Sequence, residues 1–220
     1  MNDLTKYREI RNQIRAGDVI GYRGAGMVSE GVLYFTALSH VSSVACKVRG
    51  TSPRRLIIEA DEGEVNPRLL SRKLQFYNGE AWWFALRPEL ERFRVQIEIF
   101  LWEHVGIHYD TMGMVSNVFG RPKADPERLY CSEYTGASFY YPHEVGKKWL
   151  AEPGIPRAVL EGYLPNEALQ LLLDGFALMP GDIASLPLFR EPVQLIEKGE
   201  DHDKLDHESP GRDWPYPDGP

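Results

Sequence analysis

Apolar and polar residues along the chain follow two periods, one typical of strands and one typical of helices. Runs rich in β-branched or aromatic residues predict strands, and residues Asn78-Gly79 between two of these runs are typical of a tight hairpin turn. Apolar residues three and four positions apart predict helices. The predicted strands are 18–22, 39–48, 55–61, 74–77 and 81–86, and the predicted helices are 4–15, 26–37, 88–104 and one beginning near Cys131. The pattern therefore predicts an α+β fold.

The predicted helix over 88–104 begins at a proline that suits the first helical position and stops before Gly106. Its apolar residues fall on one stripe, which we expect to face the core. The stripe consists of Leu90, Phe93, Ile97, Leu101 and Val105.

Cys131 is one of two cysteines, and it lies in Tyr130-Cys131-Ser132-Glu133, where an irregular stretch gives way to a predicted helix. The partial positive charge of the unpaired N–H groups at a helix start favours a thiolate there. The same N–H groups can stabilise an oxyanion that develops next to the sulfur. Cys131 is therefore a candidate nucleophile, although a lone cysteine is more often a small buried residue.

A histidine and two acids lie on the two predicted strands upstream of this cysteine. His40 opens the strand over 39–48, and Glu59 and Asp61 end the strand over 55–61. If the two strands form a hairpin, His40 lies across from Glu59 or Asp61, and both acids point to the same face. A cysteine, a histidine and an acid that orients the histidine make up a nucleophile–base–orienter triad. Either acid could complete it.

Taken in order, these segments resemble the YiiX-like, circularly permuted branch of the NlpC-type papain-like cysteine hydrolases. In that branch the histidine strand precedes the cysteine helix, as it does here. The resemblance spans roughly residues 16 to 196. It is carried by Gly17-Asp18-Val19-Ile20, Ser39-His40-Val41, Ile58-Glu59-Ala60, Tyr109-Asp110, Tyr130-Cys131-Ser132-Glu133 and the closing segment Met179-Pro180-Gly181-Asp182-Ile183-Ala184.

The resemblance implies a permuted papain-like fold, with an antiparallel sheet and the cysteine helix packed against it. It also implies Cys131 as nucleophile, His40 as base and Glu59 as the orienting acid, with a small or cell-wall-type peptide as substrate and no cofactor. Tyr109 stands where the family has a similar residue before the cysteine helix, so we expect it near the cleft. Tyr22, at the end of the first predicted strand, is a second candidate for contact with substrate.

Composition and charge divide the chain into a body and a tail. Residues 197–220 contain eight acidic and three basic residues, so the tail carries −5 of the net charge of −7. This proline-rich tail is expected to be flexible, and residues 1–196 are expected to form the hydrolase domain. The nearly neutral body has no basic stripe of the kind that binds nucleic acid. A protein partner for the tail has no support in its sequence.

The apolar runs are too short for a membrane span, and the N-terminus lacks the apolar segment of a secretory signal. Two cysteines without framework spacing are typical of a reducing compartment. We therefore expect a protein that is cytoplasmic at synthesis and has no stable membrane insertion.

Three alternative functions stay open at this stage. The same triad could serve a thioesterase or acyltransferase that acts on lipid esters, with Trp82 and Trp83 beside the acyl chain. A binding or particle-structural protein could have kept the fold without activity. His104 and His108 could be ligands of a zinc hydrolase, but Gly106 is expected to end the helix between them, and we expect no metal site.

Overall fold

The computed structural model describes most of the body of the chain. The described residues are 1–24, 38, 40–47, 54–61, 64–108, 131–140, 154–174 and 178–197. Four predictions fall wholly or partly outside them: the helix over 26–37, the turn after the histidine strand, Tyr109 and the acidic tail. No helix in the described ranges is long and apolar enough to cross a membrane.

An antiparallel sheet forms the centre of the molecule and confirms the predicted α+β class. Within the described residues its strands are β1 (Val19–Gly24), β2 (His40–Lys47), β3 (Arg55–Asp61), β4 (Glu64–Leu69), β5 (Gly79–Phe84) and β6 (Val193–Ile196). Their spatial order is β4-β3-β2-β1-β5-β6. The first four strands thus form a meander in chain order, and the chain then crosses the sheet to pair β5 with the other side of β1.

Helices cover both faces of the sheet. The described helices are α1 (Thr5–Ile10), α2 (Leu70–Phe76), α3 (Arg94–Glu103), α4 (Cys131–Phe139), α5 (Arg157–Tyr163), α6 (Asn166–Asp174) and α7 (Pro180–Ser185). A 3-10 helix over Pro88–Phe93 leads directly into α3. The predicted helix that starts at Pro88 is therefore present, with its first turns wound more tightly than an α-helix.

Side chains alternate between the two faces of each strand, so the two faces of the sheet pack into two separate cores. On one face, which we call the α4 face, Val41 and Ile58 pack with residues of α3 and α4. On the other, the α2 face, Val44 and Ile57 pack with residues of α1 and α2, such as Leu74. A sheet buried on both faces has little freedom to slip, because a shift of one residue would exchange the two sets.

The segment over 74–77 was predicted as a strand, and this prediction is wrong. Residues 70–76 form helix α2, in which Leu70 and Leu74 are buried four residues apart against the α2 face. Asn78-Gly79 is consequently not a hairpin turn. Gly79 has a φ of +149° and lies so close to the backbone of Arg23 that a Cβ atom there would be 2.2 Å from its carbonyl oxygen. The glycine lets β5 begin directly against β1.

Strands β4 and β6 were not predicted. β4 contains Pro67, which cannot donate a backbone hydrogen bond and is tolerated because this strand lies at an edge of the sheet. β6 has only four residues and occupies the opposite edge.

The apolar stripe predicted for the helix over 88–104 is largely buried. Leu90, Ile97 and Leu101 are fully buried in the core of the α4 face, and Phe93 is half-buried against it. Val105 is 37% exposed, so the prediction is wrong for this residue. The reason is that α3 ends at Glu103 and the chain turns at Gly106, which has a φ of +89°.

Candidate functional site

Cys131 is the first residue of helix α4, as the sequence predicts. All nine residues of this helix are buried, and it packs against β2 and β3. The Ser43 hydroxyl donates to the Thr135 hydroxyl oxygen at 3.1 Å, and the Tyr134 hydroxyl donates to the carbonyl of Leu101 at 2.6 Å. These contacts fix the start of the helix relative to the sheet, and with it the position of the thiol.

His40 is the first residue of β2, and it lies at the end of the sheet where α4 begins. His40 and Val44 are four residues apart on one strand, so both side chains point to the α2 face, whereas α4 packs on the opposite face. The Cys131 and His40 side chains nevertheless interact, and each shifts the pKa of the other. The His40 side chain is 19% exposed and Cys131 is 3% exposed, so only the imidazole has substantial access to solvent.

Glu59 reaches His40 from the neighbouring strand. Its Oε2 atom lies 3.3 Å from His40 Nε2, and Glu59 is fully buried. Ser43 pairs with Ile58, and when this register is continued by one residue Glu59 falls opposite Ser42 and diagonal to His40. The diagonal distance is within reach of a long side chain such as glutamate. The side chain of Asp61 lies outside the described part of the structure.

Two basic residues that the sequence analysis did not single out contact the other oxygen of this carboxylate. Lys73 Nζ lies 3.0 Å from Glu59 Oε1, and Arg68 Nε lies 3.1 Å from the same atom. Arg68 is on β4 and Lys73 is on α2, the strand that was missed and the helix that was predicted as a strand. Correct assignment of those two elements would have placed both cations over the face that holds Glu59.

The charges of these groups shift one another's pKa. Burial lowers the pKa of His40, but the charge and hydrogen bond of Cys131 and then those of Glu59 outweigh burial and raise the pKa to about 10. Burial raises the pKa of Glu59, but His40 and then Lys73 lower it to about 2. Glu59 is therefore ionised and His40 is protonated at neutral pH.

The pKa of the Cys131 thiol shifts in the opposite direction to the pKa of His40. Burial raises the pKa of Cys131, whereas the charge and hydrogen bond of His40, followed by the backbone N–H groups of Val41 and Ser132, outweigh burial and lower it. The lowered pKa of Cys131 favours a thiolate beside His40, whose ring also contacts Glu59. Such an arrangement can provide a sulfur nucleophile and a proton donor next to each other.

Tyr22 lies beside His40, its partner across the β1–β2 register. The two ring centroids are 5.6 Å apart, and the Tyr22 hydroxyl and the Ser42 hydroxyl are 3.0 Å apart. Tyr22 is fully buried, and we interpret it as a residue that packs against the imidazole and supports it. It is therefore not included in the substrate contacts that we propose. Tyr109 lies outside the described residues, so its predicted contact with substrate stays a prediction.

The described residues give the zinc alternative no set of ligands. His104 is buried at the end of α3, where its Nδ1 atom is 2.7 Å from the carbonyl oxygen of Phe100, and His108 is exposed in a bridge to Glu64. No cluster of three or more His, Cys, Asp or Glu side chains in the described ranges could hold a metal ion.

The described side chains of Cys131, His40 and Glu59 do not form such a cluster either.

Trp83, which was considered beside an acyl chain, has a structural position. It is 5% exposed, and its indole Nε1 donates to Asp18 Oδ2 at 2.9 Å. Trp82 is partly buried against the core of the α4 face. Nothing in their contacts favours an acyl substrate over a peptide.

Comparison with known proteins supports the fold. No family model matches the chain, and no curated protein matches it. A search of solved structures matches the metalloprotein YiiX from Escherichia coli O157:H7, a DUF1105 protein, with a TM-score of 0.54 and 17% sequence identity. The match covers 82% of this chain and 97% of that protein. The chain thus has a YiiX-like fold, in agreement with the resemblance seen in the sequence.

Proposed function

We propose that this protein is a cysteine hydrolase that cleaves an amide bond in a small or cell-wall-type peptide, as in the NlpC-type permuted branch. The observation that carries the proposal is that His40 contacts Glu59 at 3.3 Å and lowers the pKa of Cys131, which begins a buried helix. A nucleophile in contact with a base, and a base in contact with an orienting acid, is the geometry that covalent hydrolysis requires.

In the proposed reaction the Cys131 thiolate attacks the carbonyl carbon of the scissile bond. The backbone N–H at the start of α4 stabilises the negative charge that develops on the carbonyl oxygen. His40 then protonates the leaving amine, and the acyl group stays bound to the sulfur as a thioester. His40 next removes a proton from water, which hydrolyses the thioester and restores the free enzyme. Glu59 holds the ring in position through both half-reactions.

The test is turnover of a panel of short peptides, including cell-wall-type tetrapeptides, alongside a panel of acyl esters. We expect hydrolysis of at least one peptide by the native protein and none by Cys131→Ala. Faster turnover of esters than of every peptide would favour the thioesterase alternative. Failure to hydrolyse either class would favour a binding protein that kept the fold.

Reactivity of the thiol gives a second test that does not depend on finding the substrate. We expect limited iodoacetamide treatment at mildly acidic pH to modify Cys131 and to leave Cys46 unmodified, because His40 and a helix start favour the thiolate of Cys131, whereas Cys46 lies within strand β2. Mass mapping of the two cysteine peptides identifies the modified residue. Equal labelling, or labelling of Cys46 first, would contradict the assignment of Cys131 as nucleophile.

A further inference from the structure

We propose that Arg68 and Lys73 are positioning residues that together hold the Glu59 carboxylate in the orientation that faces His40. The role rests on the proposed function, because it concerns how the base is oriented. Neither residue belongs to the triad implied by the sequence, and both contact it at Glu59 Oε1.

The two oxygens of Glu59 have separate partners. Oε1 accepts from Lys73 at 3.0 Å and from Arg68 at 3.1 Å, and Oε2 lies 3.3 Å from His40 Nε2. If the carboxylate rotated, Oε1 would leave both cations and Oε2 would leave the imidazole. Two charge-assisted contacts on one oxygen therefore fix the direction of the other.

Sheet register and chain connectivity bring the two cations together. Arg68 pairs with Ile57 on β3, two residues from Glu59, so it projects from the same face as Glu59 and lies diagonal to it. Helix α2 follows β4 without a gap and carries Lys73 over that face. The Lys73 ammonium also lies 5.6 Å from the ring centroid of Tyr22, which packs on His40. Lys73 thus contacts both the acid and the aromatic support of the base.

Burial makes these contacts necessary for the charge state of Glu59. A fully buried carboxylate is unfavourable unless it is paired, and it would otherwise take up a proton or turn towards water. The described groups that face Glu59 are His40 from β2, Arg68 from β4, Lys73 from α2 and the neutral Tyr22 from β1. Arg68 and Lys73 supply the positive charge that does not change during the proposed reaction, whereas His40 gains and loses its proton.

This role predicts a particular effect on pH dependence. When both cations are replaced, the pKa of Glu59 rises, and on the acid side of that pKa a neutral carboxyl no longer supports the imidazolium. The thiolate of Cys131 is then protonated at a higher pH than in the native protein. A residue that only stabilised the fold would not move this titration.

The experiment measures the rate of Cys131 alkylation against pH for Arg68→Met, Lys73→Met and the double variant. Methionine removes the charge and keeps much of the apolar stem. In the double variant we expect the acid limb to move to higher pH, and kcat on any substrate that is found to fall about 100-fold with little change in KM. Each single variant should show a smaller shift in the same direction, and Lys73→Arg should retain the native profile.

Arg72→Met is the matched control, since it removes a cation from the same helix whose guanidinium lies over the ring of Phe76, 4.6 Å from its centroid. We expect it to alkylate as the native protein does. A native alkylation profile in the double variant, with or without a lower melting temperature, would overturn the proposal. If the double variant does not fold, a native profile in both single variants overturns it equally.

Alkylation needs no substrate, so the two proposals fail in different ways. A native protein that alkylates at Cys131 in mild acid but hydrolyses no peptide would fail as a hydrolase. The positions of the acid limbs in the Arg68 and Lys73 variants would still decide whether these residues orient Glu59.

Discussion

Asp18 and Glu59 are both fully buried carboxylates that contact an arginine, yet they lie in two different kinds of surroundings. Asp18 immediately precedes β1, and Glu59 is near the end of β3. Val19 and Ile58 both pair with Ser43 of β2, so Asp18 is level with Ile57, and the two carboxylates lie two residues apart along the strand direction with β2 between them.

The partners of Asp18 are mostly groups that keep their protons. Backbone N–H groups of Arg15 and Leu86 donate to it at 2.8 and 3.0 Å, as does the indole of Trp83, and Arg94 Nη1 lies 2.7 Å away. Burial raises the pKa of Asp18, and Arg94 and the N–H donors act against that rise. These bonds join the segment before β1, the end of β5 and the first turn of α3, so Asp18 ties three parts of the fold together.

Among the described residues the partners of Glu59 are side chains, and one of them, His40, lowers the pKa of the Cys131 thiol. His40 and Lys73 lower the pKa of Glu59 to about 2 in spite of burial. The comparison teaches that burial and a nearby arginine do not by themselves mark a reactive site. What separates the two carboxylates is that His40, a neighbour of Glu59, also lowers the pKa of a thiol.

The strongest test of this difference is Glu59→Gln. We expect turnover to fall by up to about 10⁴-fold while the protein stays folded, because an amide holds the imidazole in the wrong tautomer or orientation. Steady-state kinetics with circular dichroism as the folding check would measure both. Asp61→Asn serves as the control on the same strand. If Asp61→Asn is the more damaging change and Glu59→Gln is silent, the acid must be reassigned to Asp61.

The matching change at the second carboxylate is Asp18→Asn. We expect the free energy of unfolding to fall by about 2–4 kcal/mol, because one oxygen becomes an NH2 group that cannot accept from the two donors that face it. Urea unfolding would measure the loss. Turnover per folded molecule should stay close to native, and a fall comparable to that of Glu59→Gln would show that the two carboxylates are not functionally separate.

Acid should also distinguish the two carboxylates, through their effects on the free energy of unfolding. Because the pKa of Glu59 is lowered from 4.5 to about 2, its ionised form stabilises the fold above pH 4.5, and that stabilisation is lost as the pH falls towards 2. The loss is about 3 kcal/mol. Asp18 has a raised pKa, so acid removes no stabilisation from it.

Unfolding free energies measured across this pH range should therefore fall less steeply in Glu59→Gln than in the native protein. In Asp18→Asn the free energy of unfolding should fall with pH as steeply as in the native protein, but from a lower value at neutral pH. Parallel curves for the native protein and Glu59→Gln would contradict the low pKa of Glu59.

Local patterns were enough to predict the strands and the helix that carry the candidate triad. β2, β3 and the start of α4 are short elements with strong signals: β-branched runs, a break between the strands and a cysteine at the start of a helix. The class of the fold followed from the same signals. The choice between Glu59 and Asp61 did not follow from the residues, because both acids share a face and the register depends on how the whole sheet is packed.

The surroundings of Glu59 were the part that local patterns missed. β4 was missed because it contains Pro67. Proline argues against a strand unless the strand lies at an edge, and the edges are known only once the sheet is assembled. The segment over 70–76 also fits a strand, because aromatic residues at its end are typical of strands. Only its packing on the α2 face shows that it is a helix. Arg68 and Lys73 lie on these two elements and were therefore overlooked.

The meander of β1 to β4 has a consequence for the order in which a growing chain can assemble the site. His40, Glu59, Arg68 and Lys73 all lie within one short stretch, and their contacts close small loops that form early and at little entropic cost. Cys131 is synthesised only after that stretch is complete, and it must close a much longer loop to reach His40. A nascent chain therefore holds both His40 and Glu59 before it contains the thiol that the proposed reaction uses.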